Sequence, residues 1–305
     1  MKKLLRFLPV WLLLILVLSS GVAHARTVKL FLIGNSFSRN ATQYLPELAK
    51  EGGHELIIGR AELGGCSLER HWRHAAAAEA NPEDPEGNPY GKKSLKKLLG
   101  ENSWDIITIQ QASTYSGEQD SYRPYARNLT NYVKKLQPQA EVVFHQTWAY
   151  RNDANYFTRI NGDTRAKSQR EMWEHSRAAY HALAKELGLR IIPNGDAFYA
   201  VNSDPQWGYQ KDANFDFKNP VAPALPDQSN SLHVGYRWNK EKTKLTFDAN
   251  HANAAGCYLG ALVWYGFLFN ESPEKLTFVP PGISPEFAAH LRKVAWQTVQ
   301  QAAQD

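Results

Sequence analysis

Five short apolar runs, each four to six residues long and separated by stretches of helical spacing, decide what this chain can build. They lie at 28–33, 55–59, 105–110 (DIITIQ), 141–145 (EVVFH) and 190–193. Runs of this length and composition suit strands buried on both faces of a parallel sheet. Between them, Tyr125, Leu129, Tyr132 and Leu136 recur at helical spacing, as do Met172, Trp173, Tyr180, Leu183 and Leu187, with Gly188 as a stop signal. Ser284-Pro285-Glu286 reads as an N-cap, a first-turn proline and an acidic first turn ahead of the stripe Leu291, Val294, Ala295, Val299. Strands alternating with helices imply right-handed βαβ units. Five of them predict an α/β protein, a three-layer α/β/α sandwich around a flavodoxin-like five-stranded parallel sheet, with ligands beyond the carboxyl ends of the strands.

The first 25 residues read differently. Lys2, Lys3 and Arg6 precede an apolar run over 8–18, and Ala23-His24-Ala25 supplies an A-x-A cleavage pattern. This predicts a signal peptide over 1–25 and a mature chain from about Arg26, exported to the periplasm or beyond. The apolar run is too short for a membrane-spanning helix, and no cysteine near the cut suggests a lipid anchor. Removing the leader takes three of the 35 basic residues and none of the 30 acidic ones, leaving too small an excess to support a nucleic-acid partner. Residues 26–305 suit one domain. Two insertions interrupt the plan: 81–93, rich in proline and charge, and 199–246, which carries Trp207, Tyr209, Phe215, Phe217, Tyr236 and Trp238. So aromatic a segment argues for order, and 232–238 with 243–247 reads as a hairpin.

Chemistry-bearing residues gather after the strands. In FLIGNSFSRN, Ser36 follows the first strand, and a helix expected to begin near Ser38 or Asn40 would aim its amino end at the same place. A turn and a cap would use the same residues. A nucleophilic serine needs a base, and FDANHANAAG offers His251 with Asp248 three residues before it, ahead of a helix over 254–269. Oxyanion donors are offered by Gly64 and Gly65 after the second strand, and by Gln110 or Gln111 after the third. Any one of these is a common pattern; at one sheet edge they form a constellation.

With these residues in place, the chain resembles the SGNH (GDSL-like) hydrolases, and among them the bacterial DUF4886 group, through its IGNSFS, GGCSL…HW and WD…QQ blocks. The resemblance implies Ser36 as nucleophile, Asp248 and His251 as its partners, and an oxyanion hole of Ser36, Gly65 and Gln110, with Gln111 as the alternative to Gln110. It departs from the superfamily's pattern in three places: Asn35 stands where relatives carry Asp, Gln110 where they carry Asn, and the last block reads D-A-N-H-A-N.

The expected activity is that of a carboxylic ester hydrolase, a carbohydrate O-acetylesterase acting on an acetylated glycan without metal or organic cofactor. Export, aromatic loops and the superfamily's habits suggest the glycan. Alternatives are a lipase or thioesterase of the same superfamily, or a carbohydrate-binding protein without catalysis on the same scaffold; 81–93 and 199–246 also suit protein contacts. His71, Trp72, Trp148, Tyr150 and Trp238 are the expected substrate-binding residues, since aromatic faces pack against sugar faces. His71 and His74, three apart, suit a cleft-lining helix better than a metal. In an exported protein Cys66 and Cys257 are free to pair, subject to geometry.

Overall fold

The computed structural model describes residues 25–304. The leader expected over 1–25 lies, apart from Ala25, outside the described residues. Nine strands lie among the described residues: β1 (Thr27–Gly34), β2 (Glu55–Glu62), β3 (Ile106–Ile109), β4 (Glu141–His145), β5 (Arg159–Asn161), β6 (Thr164–Arg165), β7 (Arg190–Ile192), β8 (His233–Trp238) and β9 (Leu245–Ala252). Nine α-helices lie among the described residues: α1 (Ser36–Ala41), α2 (Leu45–Glu51), α3 (Leu68–Ala80), α4 (Leu95–Leu99), α5 (Tyr125–Leu136), α6 (Gln169–Leu187), α7 (Asn194–Asn202), α8 (Ala254–Phe269) and α9 (Pro285–Ala302).

The five expected strands form one parallel sheet in the order β2-β1-β3-β4-β7, the flavodoxin-like arrangement. Each side of the sheet has its own core because neighbouring residues of a buried strand face opposite ways. Leu30 and Leu32 of β1 point into a core shared with α1, α2, α7, α8 and α9. Phe31 and Ile33 point into the other, shared with α3, α4, α5 and α6. That makes three layers. Helix α8 is buried over nearly its whole length, because its apolar residues run around the helix rather than along one stripe.

Local signals set the helix ends. Gly188 closes α6 with φ +66, the left-handed conformation that glycine adopts without a Cβ penalty. Ser284 caps α9 by accepting from the N–H of Phe287, with Pro285 in the first turn. The segment 81–93 holds one short 3-10 turn, Pro85–Gly87. The expected hairpin is present as β8 with β9, and it is longer than its apolar run because β9 continues through Asp248 and His251.

Candidate active site

Ser36 is the first residue of α1, separated from β1 by Asn35 alone. The helix starts two residues earlier than the expected Ser38, because Asn35 is extended (φ −141, ψ −156) and its short amide reaches forward. Asn35 Oδ1 accepts from the N–H of Phe37 at 3.0 Å and caps the helix. Ser38 is therefore inside the helix, its hydroxyl donating to the Asn35 carbonyl at 2.8 Å and lying 2.9 Å from the Glu62 carboxylate. In its first turn a helix cannot satisfy its own N–H groups, so the Ser36 hydroxyl sits beside backbone donors.

His251 reaches Ser36 from the other end of the chain. Its Nε2 lies 3.0 Å from Ser36 Oγ, and its Nδ1 lies 3.0 and 3.2 Å from the two Asp248 oxygens. Both residues stand on β9 at a bulge: His233 pairs with Ala252, whereas Gly235, two residues on, pairs with Asp248. The extra residues on β9 turn Asp248 and His251 to the same side. Burial alone would raise the Asp248 carboxyl, but hydrogen bonds from the His251 ring and from the His251 and Asn250 N–H groups outweigh it and hold it down to about 2. An ionised carboxylate at Nδ1 keeps the ring proton there and turns the Nε2 lone pair to the serine hydroxyl. The His251 side chain is 38% exposed, so the line opens to solvent.

Two neighbours fix this bulge. Trp148 donates its indole N–H to the Asn250 carbonyl at 2.9 Å while stacking on Phe198 and packing against Phe37. The N–H of Arg151 donates to the Ala249 carbonyl at 2.9 Å.

Gly65 has φ +60, and its absent Cβ would meet open space, so this exposed turn needs glycine for its backbone and leaves room beside it. The glutamines sit deeper. Gln110 Nε2 donates to Asn35 Oδ1 at 2.8 Å, and its Oε1 accepts from His145 Nδ1 at 2.9 Å. Gln111 Oε1 accepts from the N–H groups of Leu68 and Ala112, and its Nε2 donates to the carbonyl and hydroxyl of Ser121. Gln111 thus stitches three loops together, and Gln110 props Asn35 from below.

Of the five aromatic and histidine residues expected to touch substrate, three are buried. His71 lies between the Tyr90 hydroxyl (2.7 Å) and the Gly34 carbonyl (3.1 Å), and burial holds its ring neutral, down to about 3. Trp148 supports the bulge, as above. Tyr150 is enclosed, with its hydroxyl 2.9 Å from Ser113 Oγ and pushed up to about 12 by burial. Trp72 is half-buried edge-on to Tyr132. Trp238, also half-buried, donates its indole N–H to the Ala224 carbonyl. Residues just after a strand end fall into the core as readily as into a cleft, and their aromatic character does not separate the two.

The sequence reading missed Arg151. It is 1% exposed, paired with Asp153 at 2.7 Å, bonded to Gln228 Oε1 at 2.8 Å, and boxed by the rings of Tyr209, Tyr236 and Phe247. Through Gln228, Tyr209 and Tyr236, Arg151 ties the 199–246 insertion to the segment after β4. The only prior signal was its position in that segment. Cys66 and Cys257 are both buried free thiols, each pushed up to about 12, chiefly by burial. Among the described residues no cluster of three His, Cys, Asp or Glu is arranged to hold a metal, and no helix is long and apolar enough to cross a membrane.

The sequence profile of DUF4886, described as a domain of unknown function, matches residues 29–204. A DUF4886 family protein from Bacteroides uniformis has a similar structure: 26% identity, 90% of this chain and 95% of that one covered, TM-score 0.67. A candidate SGNH hydrolase from Slackia heliotrinireducens is more distant, at 21% identity, 79% and 97% coverage and TM-score 0.44. The esterase EstA from a Pseudoalteromonas species stands at 11% identity, 59% and 82% coverage and TM-score 0.32. No curated protein matches the chain.

Proposed function

The chain belongs to the DUF4886 family, and on that premise we propose that it is an exported serine ester hydrolase that removes O-acetyl groups from a carbohydrate. The observation that carries this reading is the unbroken line Asp248–His251–Ser36, assembled from residues 215 positions apart at the carboxyl edge of the sheet.

In the proposed reaction His251 Nε2 takes the Ser36 proton as Oγ bonds to the ester carbonyl carbon. The imidazolium that forms is stabilised by Asp248. The oxygen that becomes negative is held by the N–H groups of Ser36 and Gly65. Gln110, whose amide is engaged by Asn35 and His145, acts as a positioning residue for that turn. Collapse of the tetrahedral adduct breaks the carbon–oxygen bond to the sugar, and His251 gives its proton to the leaving oxygen. Water then attacks the acyl-Ser36 ester with His251 again as base, releasing acetate. No step calls for a metal or an organic cofactor. The leader pattern supports export, and the partly exposed Trp72 and Trp238 support a sugar ligand.

The test is acetate release from a panel of acetylated polysaccharides, with p-nitrophenyl acetate as a general ester. Ser36→Ala is expected to lower kcat on p-nitrophenyl acetate by at least about 1,000-fold. Equal rates in the two proteins would remove the serine mechanism. Turnover of the general ester without acetate from any glycan would remove the carbohydrate assignment alone.

A further inference from the structure

A cavity of about 430 Å³ opens beside the Ser36 turn, between α1, the end of β2 and the 81–93 insertion. We infer that it is the subsite for a carboxylate-bearing sugar, a uronate, next to the ester that Ser36 attacks; the inference rests on the esterase reading for that last clause only.

Its walls join the nucleophile turn directly. Arg39 lies three residues after Ser36 in the same helix, a spacing that makes side chains neighbours. Leu63 lines the cavity, donates its N–H to the Gly34 carbonyl, and leads into the Gly64-Gly65 turn. The far wall is Pro89 and Tyr90. Tyr90 is linked back to Gly34 through His71, so the insertion that builds the wall is anchored on the residue two before the nucleophile.

The charge of the cavity is unbalanced. Glu62, with its side chain 3% exposed, is the shared partner of two guanidinium groups: Arg60 Nη1 at 2.8 Å and Arg39 Nε at 3.3 Å. One carboxylate between two arginines leaves one positive charge over. Lys93 at the rim is matched by Glu101 at 2.7 Å. The surplus is best presented by Arg39. Its Nε is held by Glu62, and its two terminal nitrogens lie on a side chain that is 72% exposed. A guanidinium fixed at one edge and open at the other is pre-oriented for a planar carboxylate. The apolar atoms of Leu63 and Pro89 suit the carbon face of the sugar that carries it.

Titration calorimetry on the full chain tests this with three probes: trigalacturonic acid, xylotriose and a sulfated neutral trisaccharide. The uronate is expected to bind at least about tenfold more tightly than xylotriose, with a preference that shrinks at high salt. Arg39→Gln is expected to remove most of that preference, and Arg39→Lys to restore part of it, since lysine keeps the charge without the fork. Equal affinity for xylotriose, a preference undiminished in Arg39→Gln, or tighter binding of the sulfated sugar would each overturn the assignment. Binding needs no turnover. A protein that prefers the uronate and hydrolyses nothing keeps the subsite and sinks the esterase reading; an active esterase without the preference does the reverse.

Discussion

Asn35 makes three side-chain hydrogen bonds: Oδ1 accepts from the Phe37 N–H and from Gln110 Nε2, and Nδ2 donates to the Cys66 carbonyl at 3.0 Å. The last bond calls for an amide rather than a carboxylate at position 35. A carboxylate has no hydrogen to offer a buried carbonyl, and at 2% exposure water cannot replace it. Asn35→Asp is expected to lower stability by about 1–3 kcal/mol, read as a fall in Tm, together with a fall in kcat. An unchanged Tm would contradict this account of the turn. At this scale the sequence marked Ser36, Asp248 and His251, which the fold brings into one hydrogen-bonded line, because each is a reactive residue type set after a strand or before a helix. It did not expose the roles of Asn35 and Gln110. Their roles depend on an amide reaching between strands, and Asn and Gln at strand ends read equally well as turn residues.

The hairpin β8–β9 is the element on which the site turns. Gly235 on β8 faces Asp248 across the pair, has φ +68, and its would-be Cβ would run into Gln228 and the Arg151 guanidinium. Gly235→Ala therefore meets both a strained backbone and the buried Arg151 network. It is expected to cost at least about 1–2 kcal/mol and to lower kcat by moving the bulge that carries Asp248 and His251. A variant with wild-type Tm and kcat would show the hairpin to be independent of the site. The hairpin was legible from its alternating aromatic and β-branched residues, and the order of 199–246 from its aromatic content. Its continuation through His251 was not, because the bulge breaks the alternation that marks a strand. Nor was the buried Arg151–Asp153 pair, since charged residues in a loop read as solvent-facing until the rings around them are placed.

Over the whole molecule, the five-stranded parallel sheet and its three layers were legible in the alternation of short apolar runs with segments of helical spacing. The two cores also enclose histidines that cannot charge in place: His71 and His145 are held down to about 3, and His233 to about 4, chiefly by burial, against an ordinary value of 6.5. The unfolded chain takes up these protons as pH falls below 6.5 and the folded chain does not, so stability is expected to be lost progressively between pH 6.5 and about 3, His233 ceasing to contribute below about 4. Asp248 adds a loss at lower pH, between its ordinary 3.8 and about 2, where its bonds to His251 are given up. Thermal melts across this range check the sign; a Tm constant from pH 6.5 down to about 4 would contradict neutral burial of the three rings.

In the proposed mechanism Ser36, activated by His251, is the group that bonds covalently to the acyl carbon. The direct measurement is peptide mass spectrometry after treatment with a serine-reactive fluorophosphonate, run beside a p-nitrophenyl acetate assay. One adduct is expected, on Ser36, rising in step with loss of turnover and forming at least about 100-fold more slowly in His251→Gln. An adduct on another residue, or full turnover by protein whose Ser36 is fully modified, would contradict it.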